Sequence, residues 1–403
     1  MATIDNTLST VDKNGERVVP RGADEIRRYA INRLTLTHFR NYPSLRIEAD
    51  GRPIVLTGAN GAGKTNILEA ISLLVPGRGL RRAKLSEMAN DQGPGDWGVA
   101  AKITTPNGPV DLGTGFIADS SGKREKRLVR VDGENVSSQS VLSTYMSAHW
   151  LTPQMDRLFA DGVSARRRFL DRLVFAWDRA HAGRVQSFEQ SMRERLKILK
   201  DHNEPDFGWL KTLEAGMAER AMAVAAARRE LISRLAPSAE DGLGPFPGAL
   251  LSLHGEIDDW LDNGPALEAE DRYRAKLAAD RGHDKVVGRT HSGPHRTDLV
   301  VRHAVKGQAA ALCSTGEQKA LLIAIVLANA TLRGREEGGI PVLLLDEVTA
   351  HLDEHRRDAL FGHLVGLGAQ VWLTGTDDSL FGALKDQAQI FEICNGGLKP
   401  YAN

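Results

Sequence analysis

The sequence of 403 residues has little cysteine, few aromatic residues and no net charge. Its two cysteines, Cys313 and Cys394, exclude a disulfide framework and indicate reduced thiols. Aromatic residues make up 5% of the chain, which argues against the stacked rings of single-strand nucleic-acid binders. Lys and Arg number 52, as do Asp and Glu, which argues against a uniformly cationic binder of DNA or membranes but not against local charged patches.

Long apolar stretches are also missing. The most apolar helix-like run, residues 321–328, is far shorter than the ~20 residues that span a bilayer. Residues 1–29 are polar and aperiodic, lack the apolar centre of a secretory signal, and are predicted to form a flexible tail. The remaining composition is typical of a globular protein, and the length predicts two or three domains. We therefore expect a cytoplasmic protein without a membrane partner.

The first part of the chain has the apolar alternation of β-strands. Two strands are predicted on either side of residues 40–43, and the apolar run at 53–57 predicts a buried strand. Residues 95–150 alternate short apolar runs with Gly and Asp turns, which favours antiparallel strands.

The middle of the chain has a helical period instead. Apolar residues recur every three or four positions in 185–199 and again in 210–235. This spacing predicts an antiparallel helical hairpin of roughly 40 Å, with the second helix stopped by Pro237. Helix–strand alternation returns near residue 289, so we expect residues 151–288 to be an inserted helical arm domain. Residues 30–150 and 289–403 would then form one α/β head.

One segment fits the phosphate-binding P-loop pattern GxxxxGK[ST], between a buried strand and a helical pattern. Glycines let the backbone N–H groups of such a loop face phosphate oxygens. Lys64 would reach the β- and γ-phosphates of ATP, and the Thr65 hydroxyl would bind Mg²⁺. A glycine-rich turn without a ligand is the alternative, which the correct flanking elements disfavour. The predicted nucleotide-binding residues are Gly58, Ala59, Asn60, Gly61, Ala62, Gly63, Lys64 and Thr65.

A P-loop enzyme needs a second acidic site, and the run 341–347 supplies an apolar strand that ends in two carboxylates. Asp346 is predicted to hold Mg²⁺, directly or through water. Glu347 is placed to polarise the attacking water as a general base, so Glu347 and Lys64 are the predicted catalytic residues.

Three weaker elements have the order and spacing of the ABC ATPases. Ser314 and Gly316 lie at the start of an apolar helix and resemble the signature motif. This motif would bind the γ-phosphate of a nucleotide held by another subunit. The alternative is that Ser314 simply caps the helix. Asp353 lies in a stretch that resembles the D-loop. Gln154 lies where a Q-loop residue would sense Mg²⁺ and the γ-phosphate, and Glu317 stands where the signature usually has Gln.

The signature segment lies 250 positions after Lys64, a longer spacing than we expect in an ABC transporter motor. The inserted segment is also far shorter than the coiled coil of an SMC protein. The chain resembles the RecF family of bacterial recombinational-repair ATPases over about residues 30–400. The resemblance rests on residues 38–42, the P-loop and residues 152–153, and the stretches that carry it most specifically are 166–171 and 293–299. The fold class implied is α/β, an ABC-type P-loop ATPase head with an inserted mainly helical arm domain. The resemblance also implies nucleotide contacts for Arg40 and Asn41.

Charge is strongly segregated along the chain. The segments 78–84, 123–130 and 166–200 are net positive, and 236–284 is net negative. A single charge run is usually a solvated face, but three basic runs in an ATPase of this kind favour sequence-independent contacts with duplex DNA phosphates.

Together these features predict an ATP-dependent DNA-binding repair protein. We expect ATP and Mg²⁺ to close a homodimer, whose basic surfaces bind duplex or gapped DNA and which hydrolyses ATP slowly. The resemblance further implies assistance in RecA loading with RecO and RecR. A nucleotide-gated clamp with negligible turnover and a transporter motor are the alternatives.

Overall fold

The computed structural model describes residues 28–118, 126–201, 206–336, 339–394 and 396–400. Almost all of the predicted tail, residues 1–27, lies outside the described residues, as do Lys123 and Arg124 of the second basic run. The strands are β1 (Ala30–Phe39), β2 (Tyr42–Glu48), β3 (Ile54–Thr57), β4 (Trp97–Thr105), β5 (Gly108–Phe116), β6 (Arg127–Val131), β7 (Glu134–Asn135), β8 (Ala148–Leu151), β9 (Ala249–His254), β10 (Asp298–His303), β11 (Val342–Leu345), β12 (Val371–Thr374), β13 (Gln389–Cys394) and β14 (Gly397–Pro400). The helices are α1 (Lys64–Ser72), α2 (Leu142–Tyr145), α3 (Val163–Phe175), α4 (His181–Lys200), α5 (Phe207–Glu240), α6 (Glu256–Asn263), α7 (Ala266–Ala279), α8 (Arg281–Val287), α9 (Thr315–Glu336) and α10 (Glu354–Leu367).

An antiparallel sheet forms from the first part of the chain, in the order β2-β1-β4-β5-β6-β7. Its strands alternate buried and exposed residues, as in β4, because one face packs on the core and the other meets water. The strands predicted around residues 40–43 and within 95–150 are present.

The second sheet has the order β14-β13-β3-β12-β11-β8 and is parallel from β13 to β8. All four residues of β3, β11 and β12 are buried, as expected for strands covered on both faces. The P-loop follows β3, Asp346 follows β11, and Thr374 ends β12. These groups therefore converge at the carboxyl edge of the sheet, where open α/β sheets bind ligands.

The predicted helical hairpin is formed by α4 and α5, but α5 does not stop at Pro237. It continues to Glu240, and this part of the prediction was wrong. Pro237 lacks an N–H and removes one helical hydrogen bond. Leu235 and Ala239, on either side of it, are buried in the main hydrophobic core, and that burial keeps the last turn helical.

The far part of the helical insertion has its own small core, formed where α4, α5, α6 and α7 meet. The part of the helical insertion that lies next to the head shares the core of the head, because residues of α3 and the last third of α5 pack with α9 and β11. The predicted division at residue 288 separates β9 from β10, whereas these two strands pair antiparallel over residues 249–254 and 298–303. A boundary at residue 288 therefore cuts through a sheet.

Within the described ranges, every helix is too short or too polar to cross a bilayer.

Candidate functional site

The P-loop has the tight backbone that its glycines allow. Gly58 and Gly63 have φ of 136° and 114°, in the left-handed region that other residues avoid. A Cβ on Gly58 would collide with the Ile393 carbonyl, and one on Gly63 would collide with the Asn41 side chain. The loop therefore needs glycine at both positions for conformation and for space.

The Lys64 side chain folds back over this loop. Its Nζ donates hydrogen bonds to the carbonyls of Gly58 at 2.6 Å and Ala59 at 2.9 Å. Burial lowers the pKa of Lys64, and the charges of Glu347 and Asp346 oppose that shift. The ammonium is thus held at the mouth of the loop, where it can exchange a carbonyl for a phosphate oxygen.

Asp346 is the centre of the acidic side of the site. Its Oδ1 accepts hydrogen bonds from the hydroxyls of Thr65 and Thr374, each at 2.8 Å. Thr374 Oγ1 in turn accepts the Glu347 N–H at 2.9 Å. The hydrogen-bonded chain joins the ends of three elements, α1, β11 and β12.

Glu347 has an uncommon backbone conformation, with φ of 49°. Its carbonyl accepts a hydrogen bond from Lys319 Nζ at 3.4 Å, and the same ammonium donates to the Ala350 carbonyl at 2.7 Å. Lys319 thereby fixes the turn that follows β11. Because the Glu347 side chain is only partly buried, its carboxylate remains available to a water molecule.

These residues fit a nucleotide with Mg²⁺. Thr65 and Asp346 offer a hydroxyl and a carboxylate, which are hard oxygen ligands of the kind that Mg²⁺ takes alongside phosphate oxygens. The P-loop N–H groups, the start of α1 and the Lys64 ammonium supply positive potential beside them.

Arg40 and Asn41 lie behind the P-loop. Arg40 forms two hydrogen bonds with the buried carboxylate of Glu69, at 2.8 and 2.9 Å. Asn41 Nδ2 donates to the Ala62 carbonyl at 3.0 Å and its Oδ1 accepts from Asn66 at 2.7 Å. Both residues brace the loop from the β1–β2 turn, and a direct contact with a nucleotide stays a prediction.

The signature segment forms a capping box at the start of α9. The Ser314 N–H and hydroxyl both donate to one carboxylate oxygen of Glu317, at 3.0 and 2.9 Å, and the Glu317 N–H donates back to Ser314 Oγ. Glu317 also pairs with Lys306, and these hydrogen bonds lower its pKa to about 2. Gly316 is half-buried in the first turn of α9.

The two remaining predicted site residues are exposed. Asp353 caps α10 by accepting the Arg356 N–H at 2.8 Å. Gln154 lies in the short 3-10 turn Pro153–Arg157, and over the described ranges its side chain makes no hydrogen bond to Thr65 or Asp346. Their roles at a nucleotide stay predictions.

Three residues of this region were missed from the sequence. Thr374 carries no motif of its own and is identified only by its position at the end of a neighbouring parallel strand. Lys319 and Asp156 form an ion pair of 3.4 Å beside Asp346 and line a small cavity with it. The position of Lys319 near the start of α9, the helix that follows the signature segment, is the sequence feature that could have indicated its place in the site.

Several of the basic side chains predicted to face DNA are used inside the protein. Arg127 is half-buried and donates to the Leu73 and Gly77 carbonyls, and burial of its guanidinium lowers its pKa to about 10. Arg166 pairs with Asp298, and Arg195 is fully buried. Those three are therefore structural, and the described parts of the runs 123–130 and 166–200 offer a smaller basic surface than their sequence charge predicts.

The two stretches that carry the family resemblance most specifically contact each other. Arg166 forms two hydrogen bonds with Asp298, at 2.7 and 2.9 Å, and Arg167 donates to the Thr297 carbonyl. Asp171 binds Arg228 of α5, whose guanidinium also donates to the Pro294 carbonyl at 2.6 Å. Together they lock the root of the arm onto the β9–β10 sheet.

Residues 30–396 match the family described as the RecF/RecN/SMC N terminal domain. The chain is 46% identical over 373 residues to the DNA replication and repair protein RecF of Mesorhizobium japonicum, covering 92% of this chain and 97% of that protein. It is 47% identical over 369 residues to the protein of the same name from Rhizobium etli, covering 91% and 98%.

Solved structures agree on the fold. A structure of the recombination mediator protein RecF with ATP in the RecFOR pathway aligns with a TM-score of 0.81 at 20% identity, over 95% of this chain and 100% of that one. The Smc head domain of Pyrococcus furiosus aligns with a TM-score of 0.53 at 15% identity, over 92% of this chain and 95% of that one. The predicted fold class, an ABC-type ATPase head with a helical insertion, is confirmed. The chain belongs to the RecF family of DNA replication and repair proteins.

Proposed function

We propose that this chain is a cytoplasmic ATPase that binds ATP with Mg²⁺, closes into a homodimer and binds duplex or gapped DNA. The observation that carries the proposal is the hydrogen-bonded set Thr65–Asp346–Thr374–Glu347 at the P-loop. This set supports a metal-binding role for Asp346 and a water-polarising role for Glu347, because it anchors the Asp346 carboxylate and the Glu347 backbone beside the P-loop.

Each residue of the site has a separate role in ATP hydrolysis. Residues 58–65 hold the β- and γ-phosphates, and Lys64 neutralises charge on the oxygens of the transferred group. When bound, Mg²⁺ adds positive charge on the same oxygens, with Thr65 and Asp346 as its protein ligands. Glu347 orients a water whose oxygen attacks the γ-phosphorus as the bond to the β-phosphate oxygen breaks, and it accepts the proton of that water.

The second half of the site comes from another copy of the chain. Ser314 and Gly316 are exposed or half-exposed at the start of α9, and no hydrogen bond among the described residues joins Ser314 to the P-loop of the same copy. A partner's signature helix would bring its N-terminal dipole and the Ser314 hydroxyl to the γ-phosphate. ATP then acts as a ligand that prefers the closed dimer, and slow hydrolysis reopens it.

The names of the relatives support a proposal for the cellular role. Both compared relatives are named as DNA replication and repair proteins, and the solved RecF structure is described as a recombination mediator in the RecFOR pathway. We propose that this chain acts with RecO and RecR to assist RecA loading at gapped DNA.

The variant Lys64→Ala tests whether nucleotide controls DNA binding. Loss of the ammonium should abolish ATP-dependent affinity for duplex DNA in fluorescence anisotropy and leave the weak nucleotide-free binding unchanged. Thr212→Ala, far out on α5, is the control. Undiminished ATP-dependent DNA binding by Lys64→Ala would show that this P-loop does not control DNA binding.

A single-turnover ATPase assay with and without DNA distinguishes a true ATPase from a clamp with negligible turnover.

A further inference from the structure

A small cleft opens beside β8, the edge strand of the second sheet, between the end of α1 and α3 at the root of the arm. Its apolar wall includes Val75, Met146 and Phe175, and its charged side chains are Arg172, Arg179 and Arg333. No Asp or Glu is among the described residues that line it. A cleft with a mixed polar and apolar lining, whose charged side chains are guanidinium groups, is suited to an anion with a hydrophobic body.

Arg172 is the central cation of this cleft. Its guanidinium lies 4.7 Å from the centre of the Trp150 ring and 5.6 Å from that of Phe169. The polar contact it makes is a 3.3 Å hydrogen bond to the sulfur of Met155. Over the described ranges, no carboxylate lies within 4.0 Å of it, in contrast to Arg195 and Arg228, which are each matched by acids.

A guanidinium held this way is costly to the folded protein. Burial lowers the pKa of Arg172 to about 9, and the charge of Arg82 adds to that shift. The side chain is only partly exposed, and its contacts with the Trp150 and Phe169 rings offset part of the cost of withdrawing the cation from water. An anionic ligand would supply the missing charge.

Further arginines extend the positive surface from the cleft. Burial lowers the pKa of Arg82, the nearby charges of Arg168 and Arg78 add to that shift, and the nearby charge of Glu189 opposes it. Arg78, Arg82 and Arg168 are exposed. They come from the segment after α1 and from α3, so two elements distant in sequence place positive charges near one another and, through Arg82, near Arg172.

We propose that the Arg172 cleft binds an unpaired nucleotide of a DNA strand whose backbone phosphates lie on Arg78, Arg82 and Arg168. The guanidinium of Arg172 would bind the phosphate of that nucleotide, and the apolar wall would accept its base. This inference rests on the proposed function and specifies how DNA with a single-stranded part is distinguished from a plain duplex. The segment that carries Arg82 follows the P-loop helix directly, which connects the cleft to the nucleotide site.

The test compares Arg172→Met, Arg172→Lys and the control Arg272→Met, an exposed arginine on α7. Methionine is a long, flexible side chain that can pack on Trp150 but carries no charge. The substitution therefore tests the charge of Arg172 and not the space that its side chain fills. Each full-length variant is titrated with labelled blunt duplex and with the same duplex bearing a short single-stranded tail, in the presence of ATP and at several salt concentrations. Thermal unfolding and binding of a fluorescent ATP analogue are measured in parallel.

We expect Arg172→Met to lose about tenfold in affinity for the tailed duplex, with a salt slope lower by about one, and to bind blunt duplex like the wild type. Its melting temperature should be equal or higher, since an unmatched charge has been removed. Arg172→Lys should lie between the two.

An unchanged affinity with a lower melting temperature would make Arg172 a structural cation and overturn the proposal. Equal losses on blunt and tailed duplex would overturn the assignment to an unpaired nucleotide. Competition by deoxynucleoside monophosphate as strong as by the tailed DNA would assign the cleft to free nucleotides instead. If the wild-type protein binds neither DNA, the proposed function is overturned together with the cleft proposal. If the wild type binds both DNAs and the variants do not show the expected differences, only the cleft proposal is overturned.

Discussion

At the scale of single residues, Thr374 connects the two acidic groups of the site. It is completely buried at the end of β12, where its hydroxyl donates to Asp346 and accepts the Glu347 N–H. A hydroxyl is needed for both bonds at once, because it alone offers a donor and an acceptor on one atom. Thr374 is therefore a positioning residue, which acts through the Asp346 carboxylate and the Glu347 backbone.

The substitution Thr374→Val keeps the shape of the side chain and removes the hydroxyl. We expect it to weaken Mg²⁺-dependent ATP hydrolysis by about 10–100-fold, the usual effect of losing a group that orients a metal ligand. The readout is the Mg²⁺ concentration that gives half-maximal activity, which should rise. Thr374→Ser should restore the wild-type value, and failure of serine to do so would indicate a packing role.

Two histidines, the buried His149 and the half-buried His295, make stability depend on pH. Burial, with the charges of Arg172 and Arg333, lowers the pKa of His149 to about 3, and burial is also the main cause that lowers the pKa of His295 to about 4. Both are neutral when folded, whereas an unfolded histidine gains a proton below about pH 6.5. Stability is therefore complete above that pH and falls as the pH decreases toward the folded-state values.

The effect of His149 at pH 5 should be about 2 kcal/mol of unfolding free energy relative to pH 7. Urea titrations at the two pH values measure it, and His149→Gln should reduce the difference by that amount. His355→Gln, an exposed histidine on α10, is the matched control and should leave the difference unchanged. Equal pH dependence in all three proteins would contradict the buried neutral state.

At the scale of elements, one arginine ties the helices of the arm together. Arg195 of α4 is fully buried and forms hydrogen bonds with Glu214 of α5, Asp284 of α8 and the Leu277 carbonyl of α7. Glu214 is bound in turn by Arg281. The orientation of these four helices depends on one charge cluster as well as on the small apolar core beside it.

Removing Arg195 should loosen the arm without disturbing the nucleotide site. We expect Arg195→Met to destabilise the arm by about 3–5 kcal/mol, because two carboxylates lose their buried partner. Limited proteolysis should cut within α7 or α8 sooner than in the wild type, with ATP binding retained. Arg193→Met, an exposed position on the same helix, is the control and should behave like the wild type. Loss of ATP binding in Arg195→Met would instead show that arm and head fold as one unit.

Local pattern predicted the elements well and failed where tertiary packing decides. The P-loop, the strand before Asp346 and both arm helices follow from spacing, because each buries a regular set of apolar residues. The stop at Pro237 was wrong because burial of Leu235 and Ala239 outweighs one lost hydrogen bond. Thr374 could not be predicted, since its importance arises from pairing of β12 with β11 and β3.

The charge runs show the same limit. Sequence counts treat Arg127, Arg166 and Arg195 as surface charge, whereas each is satisfied inside the protein. Only the three-dimensional arrangement separates these from Arg78, Arg82 and Arg168, which remain exposed.

At the scale of the whole molecule, a net charge of zero favours control of DNA binding by dimerisation. A single copy offers limited exposed positive surface, so its sequence-independent affinity for DNA should be weak. Two copies that close on ATP would combine their basic surfaces and increase the number of phosphate contacts. The central claim is therefore that ATP joins Ser314 of one copy to the Lys64 site of the other.

The most direct test is sedimentation velocity of Glu347→Gln, which should bind ATP and hydrolyse it too slowly to reopen. The account predicts that ATP with Mg²⁺ converts this variant from monomer to dimer, and that adding Ser314→Ala to it restores the monomer while ATP binding persists. A Glu347→Gln protein that stays monomeric at saturating ATP, or a Ser314→Ala double variant that dimerises equally well, would contradict the account.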